Sequence, residues 1–247
     1  MPGQLCSVCG ERVLSPHIVS VADGQKLCPA CSHATQHFAK AVAFGSYEGV
    51  LRELVHLLKY SGVRPAASVL GKLLAEAISG RGLFREAGPE LSPVLVVPVP
   101  LYRSKRSERG FNHAESIAQA ALKLLTNEQR VGRELVLRQD ILERSRATQS
   151  QTGLTIKQRR ENVRGAFAVR RAQEVNGREV LLVDDVYTTG ATVSECARVL
   201  RRAGAEKVWV ATVARTLKLA SRYGEMKPAL GVVSPEMAET PLARAVG

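Results

Sequence analysis

Aromatic residues make up only 4% of this chain, with a single tryptophan. That scarcity argues against the row of stacking rings with which single-stranded nucleic acid is gripped. No apolar stretch approaches the ~20 residues that span a bilayer, and the N-terminus lacks the basic-then-apolar layout of a signal peptide. The cytoplasm is therefore the expected compartment. No G-x-x-x-x-G-K-S/T sequence is present, which disfavours a P-loop NTPase, and no G-x-G-x-x-G, which removes the dinucleotide fingerprint. Neither a Ser/His/Asp nor a Cys/His arrangement can be recognised, and no repeat or low-complexity tract occurs.

What the chain does have is size, charge and clustered cysteine. Its 247 residues, 45% apolar and 23% charged, are enough for one well-packed domain plus a small appendage. The net charge of +12 suits an anionic partner, a pyrophosphate-bearing metabolite or nucleic acid, although a merely soluble basic surface reads the same way. Four of the five cysteines fall in the first 31 residues as Cys6-x-x-Cys9 and Cys28-x-x-Cys31. Each pair makes a knuckle supplying two thiolates, and two knuckles close the tetrahedron of a structural zinc site. Two disulfides are the alternative, disfavoured where thiols stay reduced. His17 or His33 could replace a thiolate. Cys196 stands apart and reads as a core residue.

The sharpest local signal is Val180-Leu-Leu-Val-Asp-Asp-Val-Tyr-Thr-Thr-Gly-Ala-Thr192. Val180 to Val183 is a short apolar run suited to a strand buried on both faces, and helical spacing resumes at Ala191 and stops at Gly204. In such a unit an anion lies beyond the strand's carboxyl end, where loop N–H groups converge. Gly190 lets the backbone approach it, and Thr188, Thr189 and Thr192 can donate hydroxyls. Asp184 and Asp185 would repel a phosphate, so they must face a donor. A ribose 2′,3′-diol fits, directly or through Mg²⁺.

Elsewhere, residues 41–47 read as an edge strand, 50–60 and 69–78 as amphipathic helices, and 80–93 as a loop. Residues 94–99 form a further strand, 113–126 a helix, and 135–137 and 166–169 short strands. The alternation implies an α/β fold with a doubly wound, mostly parallel sheet. Residues 1–36 form the zinc ribbon, 37–215 the main domain, and 216–247, interrupted by prolines, a mobile tail. The segment from Tyr102 to Asn112 reads as a loop whose Lys105, Arg106 and Arg109 could neutralise pyrophosphate. The segment from Arg144 to Asn162, long, polar and basic, suits a flap over a charged ligand. Ordinary solvated loops remain the alternative for both.

The 13 residues from Val180 resemble the 5-phosphoribosyl 1-pyrophosphate (PRPP) motif of type I phosphoribosyltransferases, with Tyr187 standing where many members carry an aliphatic residue. The whole order resembles the ComF family of competence-associated proteins: the four-cysteine ribbon, Leu-Lys-Tyr60, Pro-Val-Pro-Leu101, Arg-Gly-Phe-Asn112, Gln-x-x-Leu154, Arg-x-x-Asn162 and the motif itself. The resemblance covers roughly residues 4 to 215 and implies a type I phosphoribosyltransferase-like fold. It implies structural zinc on Cys6, Cys9, Cys28 and Cys31, and Mg²⁺ accompanying PRPP. It implies that Asp184 and Asp185 hold the ribose, that Val186, Tyr187, Thr188, Thr189, Gly190, Ala191 and Thr192 complete the PRPP site, and that Leu101, Lys105, Arg106 and Arg109 meet pyrophosphate. Catalysis falls to Asp184, Asp185 and Arg109, and a flexible hood to Arg144, Arg146, Thr148, Gln149, Gln151, Arg159 and Asn162. The expected reaction is displacement of pyrophosphate by an unidentified nucleophile. A non-catalytic PRPP sensor and a factor acting on single-stranded DNA or with DNA-uptake proteins stay open, as does a homo-oligomer.

Overall fold

Apolar runs too short for helices and too continuous for half-exposed strands build the centre of the molecule. The computed structural model describes residues 4–13, 19–20, 24–33, 36–80, 83–84, 92–127, 131–149 and 153–216. The expected tail, most of the 80–93 loop, His17 and Gln151 lie outside them. The N-terminal segment holds two short antiparallel pairs, β1 (Gln4–Leu5) with β2 (Arg12–Val13) and β3 (Val19–Ser20) with β4 (Lys26–Leu27), then one turn of helix, α1 (Pro29–Ser32). There follow β5 (Lys40–Ser46), α2 (Gly49–Tyr60), α3 (Ala66–Gly80), β6 (Val94–Pro98), α4 (Arg103–Arg109), α5 (His113–Asn127) and β7 (Leu135–Leu137). Then come β8 (Leu142–Arg144), α6 (Ile156–Val163), β9 (Phe167–Val169), α7 (Ala172–Val175), β10 (Glu179–Tyr187), α8 (Ala191–Arg202) and β11 (Lys207–Arg215).

Five strands form one parallel sheet in the order β5-β11-β10-β6-β7. From β6 the chain moves outward to β7, then returns to β10 and proceeds the other way to β11. The strand order therefore reverses between β6 and β10, and ligands of open α/β sheets bind in the crevice at the carboxyl ends of such strands. Both faces are covered, as parallel sheets require. Leu181, Val183 and Trp209 face α2, α3 and α5, while Val180, Leu182 and Val210 face α8. Gly71 allows α3 to lie against α5, since a Cβ there would sit 2.4 Å from that of Ala120. β9 pairs with β8 in a separate two-stranded ribbon rather than joining the sheet.

Two expectations need correction. The strand read from the apolar run Val180–Val183 is longer than that run: β10 continues through the acidic pair to Tyr187, and its ladder to β11 reaches Tyr187 opposite Arg215. The Tyr102–Asn112 loop contains the helix α4. It lacks an apolar stripe but has good helix formers, a Lys105–Glu108 pair one turn apart, and Gly110 at φ 73° closing the last turn.

Candidate functional site

At the carboxyl edge of the sheet the two carboxyls of the acidic pair lie close together, within 4.8 Å of each other and of a ring nitrogen of His113. Asp184 is half-buried on the α8 side, where its charge reaches Arg144 and Cys196. Asp185 is 4% exposed and faces α2 and α5. There Lys59, in the last turn of α2, meets Asp185 Oδ2, and His113 Nε2 lies 3.5 Å from Oδ1. On the other side of the imidazole, Arg109 Nη1 is 3.2 Å from His113 Nδ1. A guanidinium only donates, so Nδ1 accepts and the imidazole proton sits on Nε2, pointing at Asp185. Arg109 also lies over the Tyr60 ring, 5.2 Å from its centroid.

These neighbours drive the two carboxyls apart. Burial, then the charge of Asp185, pushes Asp184 well above the usual carboxylate range. Burial acts on Asp185 in the same direction, but Lys59 and His113 outweigh it and hold Asp185 well below that range. Lys59 is correspondingly raised, the attraction of Asp185 overcoming its burial. Paired carboxyls with opposed shifts are a signature of functional sites, though structural ion pairs give it too.

The loop after β10 brings Thr188, Thr189 and Gly190 to the start of α8. Gly190 has φ 78°, and a Cβ there would lie 2.3 Å from the Tyr187 hydroxyl. Only glycine lets the chain turn here, which leaves the first N–H groups of α8 facing the edge of the sheet. Thr189 Oγ1 accepts from Ala191 N at 3.4 Å. Val186 is half-buried, and Thr192 lies half-buried in the first turn of α8. Tyr187 points elsewhere: its buried ring stands edge-on to Phe38, with Arg215 5.1 Å from its centroid, and burial raises its hydroxyl.

Of the basic residues after β6, Arg109 alone reaches the acidic pair's partners. Lys105 pairs with Glu108 at 3.0 Å and Arg106 with Glu115 at 3.7 Å, both on the exposed side of α4. Leu101 is half-buried just before that helix. Asn112 is buried, donating to Val99 O at 3.1 Å and accepting from Ala114 N, so it fixes the start of α5 to the end of β6.

The hood segment is folded on itself. Arg144 bonds Thr148 and lies 5.3 Å from the Phe167 ring centroid. Arg146 donates to the carbonyls of Asn162 and Arg164, Arg159 to that of Leu154, and the Asn162 side chain bonds both backbone groups of Gln149. A capping box between Thr155 and Gln158 starts α6, and Gly165 N donates to Glu195 at 2.7 Å. Among the hood cations named from the sequence, Arg144 feels the charge of Asp184.

Lys59 and Tyr60 at the end of α2 and His113 at the start of α5 escaped the reading of individual residues because their contacts with the acidic pair and Arg109 join separate elements. The signal that was available is the Leu-Lys-Tyr60 stretch, which the family resemblance sets apart without saying what its lysine meets.

Between α6 and α8, beside the phosphate-type loop, runs a groove of about 700 Å³. Lys157, Arg160, Arg164, Arg198 and Arg202 line it, against Glu161 and a Glu195 engaged by Arg198 at 2.7 Å.

At the other end of the chain the Sγ atoms of Cys6, Cys9, Cys28 and Cys31 lie within 4.8 Å of one another, with Cys9 and Cys28 3.6 Å apart. The edge of a tetrahedron of four sulfurs around zinc is about 3.8 Å for Zn–S bonds of about 2.3 Å, so these thiols fit a metal such as zinc; a disulfide needs about 2.05 Å. Gly10 N donates to Cys6 O and Cys31 N to Cys28 O, forming the two knuckles. Hydrogen bonding within the cluster lowers Cys28 to about 6 and pushes Cys9 up, an uneven sharing of protons that a dication would replace by four thiolates. His33 is exposed and Cys196 fully buried, its thiol raised by burial. Arg215 at the end of β11 fastens this module to the sheet, bonding Cys9 O and pairing with Glu11 at 2.8 Å.

A model described as "Phosphoribosyl transferase domain" matches residues 90–241. The DNA utilization protein YhgH of Escherichia coli strain K12 is 33% identical over 220 residues, 86% of this chain and 91% of that one. Competence protein F of Haemophilus influenzae is 32% identical over 217 residues, 85% and 90% of the two chains. A hypoxanthine phosphoribosyltransferase from Staphylococcus aureus superposes with a TM-score of 0.35 at 13% identity, over 60% of this chain and 64% of its own. Among the described residues no helix is long and apolar enough to cross a membrane.

Proposed function

We propose, since this chain belongs to the phosphoribosyl transferase family and to its ComF group, that it binds PRPP with Mg²⁺ and transfers the 5-phosphoribosyl group to a nitrogen nucleophile. The observation that carries this reading is the meeting, at the point where strand order reverses, of an acidic pair and a glycine-turned loop at a helix N-terminus. The loop Thr188–Thr192 holds the 5-phosphate on its N–H groups and hydroxyls. Asp184 accepts from the ribose hydroxyls, and Asp185, held in place by Lys59 and His113, completes the acidic edge. As the C1–O bond to pyrophosphate breaks and the C1–N bond forms, positive charge develops on the ribose and faces the carboxylates. Arg109 receives the negative leaving group, and the hood, anchored by Arg144, excludes water. Mg²⁺, when bound with PRPP, adds charge neutralisation of the pyrophosphate. The nucleophile's proton leaves with the displaced pyrophosphate or to solvent, so no covalent enzyme intermediate is needed. The four cysteines hold structural zinc. Calorimetric titration with PRPP and Mg²⁺ should give micromolar binding, and a screen of purine, pyrimidine and ammonia acceptors should release pyrophosphate. No PRPP binding by the intact protein would sink the reading; binding without release from any acceptor would make the protein a sensor.

The α6–α8 groove favours a second activity, contact with a nucleic-acid backbone, which accords with relatives named for DNA use and competence. Arg160→Glu/Arg164→Glu should weaken a fluorescent single-stranded oligonucleotide at least tenfold at about 50 mM salt and flatten its salt dependence by about two counter-ions. Unchanged affinity would remove the groove from consideration.

A further inference from the structure

The ligand atoms of His113, Asp184 and Asp185 lie within 4.8 Å of one another, close enough for a divalent ion. The chain's own donors nevertheless hold both oxygens of Asp185, one oxygen of Asp184 and the imidazole. Lys59 Nζ sits on Asp185 Oδ2, and the His113 Nε2 proton faces Oδ1. The other imidazole nitrogen is engaged by Arg109, so no lone pair of His113 points at the trio. Asp184 Oδ1 accepts from the backbone N of Asp185 at 2.9 Å.

We infer that Lys59 is a positioning residue: it is the resident counter-ion of Asp185, and it bars a free divalent ion from this trio, so that metal enters the site only in complex with a polyphosphate ligand. The inference rests on the PRPP reading for the identity of that ligand, but not for the exclusion of the free ion. Lys59 and Arg109 bring two positive charges to two carboxylates, which leaves a bare dication no net attraction. A metal–diphosphate complex is different, because its phosphates carry more negative charge than the metal carries positive. It is drawn to the same cations that repel the free ion. Lys59 is placed to do this by its helix: Val55 and Leu58 bury α2 against the sheet, and the ammonium group, with its side chain 19% exposed, has Asp185 within reach. Arg133 and Glu179 form a buried ion pair at the opposite end of β10 and take no part.

The test is electron paramagnetic resonance of Mn²⁺ added to the zinc-loaded full chain without PRPP. Wild type should leave Mn²⁺ free up to millimolar concentration. Lys59→Met should bind one Mn²⁺ at least tenfold more tightly, Lys59→Arg should behave as wild type, and Lys59→Met/Asp185→Asn should lose the gained site. Tight Mn²⁺ binding by wild type overturns the inference, and that result needs no variant to fold. An unchanged Mn²⁺ affinity in a folded Lys59→Met or Lys59→Gln protein overturns it equally. Since PRPP is absent, neither outcome depends on whether the protein binds it, and failure of the PRPP titration strikes the preceding proposal alone.

Discussion

Asp184→Asn should abolish PRPP binding while leaving the fold as stable as wild type or more so, whereas Asp185→Asn should damage both. The difference follows from what surrounds each carboxyl. Asp184 is pushed up by burial and by its neighbour's charge, so the folded protein bears a cost for its ionisation that asparagine removes. Asp185 balances Lys59, and truncating one partner of a largely buried pair leaves the other uncompensated, a loss of about 3 kcal/mol. Denaturant unfolding of the zinc-loaded proteins, with no Mg²⁺ and no chelator present, should order the three proteins as Asp184→Asn at or above wild type and Asp185→Asn well below it. Calorimetry should show PRPP affinity down at least a hundredfold in both. The pH dependence separates them further. A carboxyl raised in the folded state contributes stability that is full below the unfolded value near 3.8 and is lost as pH rises through the folded value, so Asp184→Asn gains on wild type with rising pH. A depressed carboxyl contributes stability above 3.8 that is lost as pH falls through its folded value, so the Asp185→Asn deficit shrinks in acid. Equal stability of the two variants at pH 7 would mean that Lys59 does not discriminate between the carboxyls.

What could be read from residues in order was the strand-loop-helix that makes the phosphate-type loop, because each step there has a local cause: apolar run, acidic end, glycine turn, amphipathic helix. The same logic failed where causes are distant. Nothing around residue 59 signals that Lys59 meets Asp185, since the contact joins the last turn of α2 to the end of β10. Hydrophobicity marks burial, so the apolar run predicts a strand that stops with it, whereas pairing with β11 persists to Tyr187 at the partly open edge. In the hood, charge suggests cations aimed at a ligand, yet Arg146 and Arg159 donate to backbone carbonyls of their own segment. A basic loop with many carbonyls to satisfy turns its arginines inward as readily as outward, and only the fold decides which.

Loss of the metal site should reach beyond the N-terminal segment. Cys6, Cys9 and Cys28 belong to the same apolar cluster as Phe38, Ala41 and Tyr187, so the knuckles are part of the wall that covers one side of the sheet. With zinc in place, binding of order 10–16 kcal/mol rivals the whole stability of an ordinary domain. Cys28→Ser removes one thiolate from the tetrahedron; zinc content should fall from about one per chain to near zero, and the melting temperature by more than about 10 °C. The fall should exceed what the segment's own few contacts would give, because Arg215 then loses Glu11 and Cys9 O together and is left as a buried charge. Arg215 ends the strand beside β10, and its guanidinium lies over Tyr187, whose hydroxyl fills the space next to Gly190. Loosening that stack frees the turn that presents the loop Thr188–Thr192, so PRPP affinity should drop along with zinc even though no cysteine touches the ligand. Zinc analysis, calorimetry and thermal unfolding of the same preparation check all three. A variant that loses zinc but keeps its melting temperature within about 2 °C and its PRPP affinity intact would show that the module rides on the domain without supporting it.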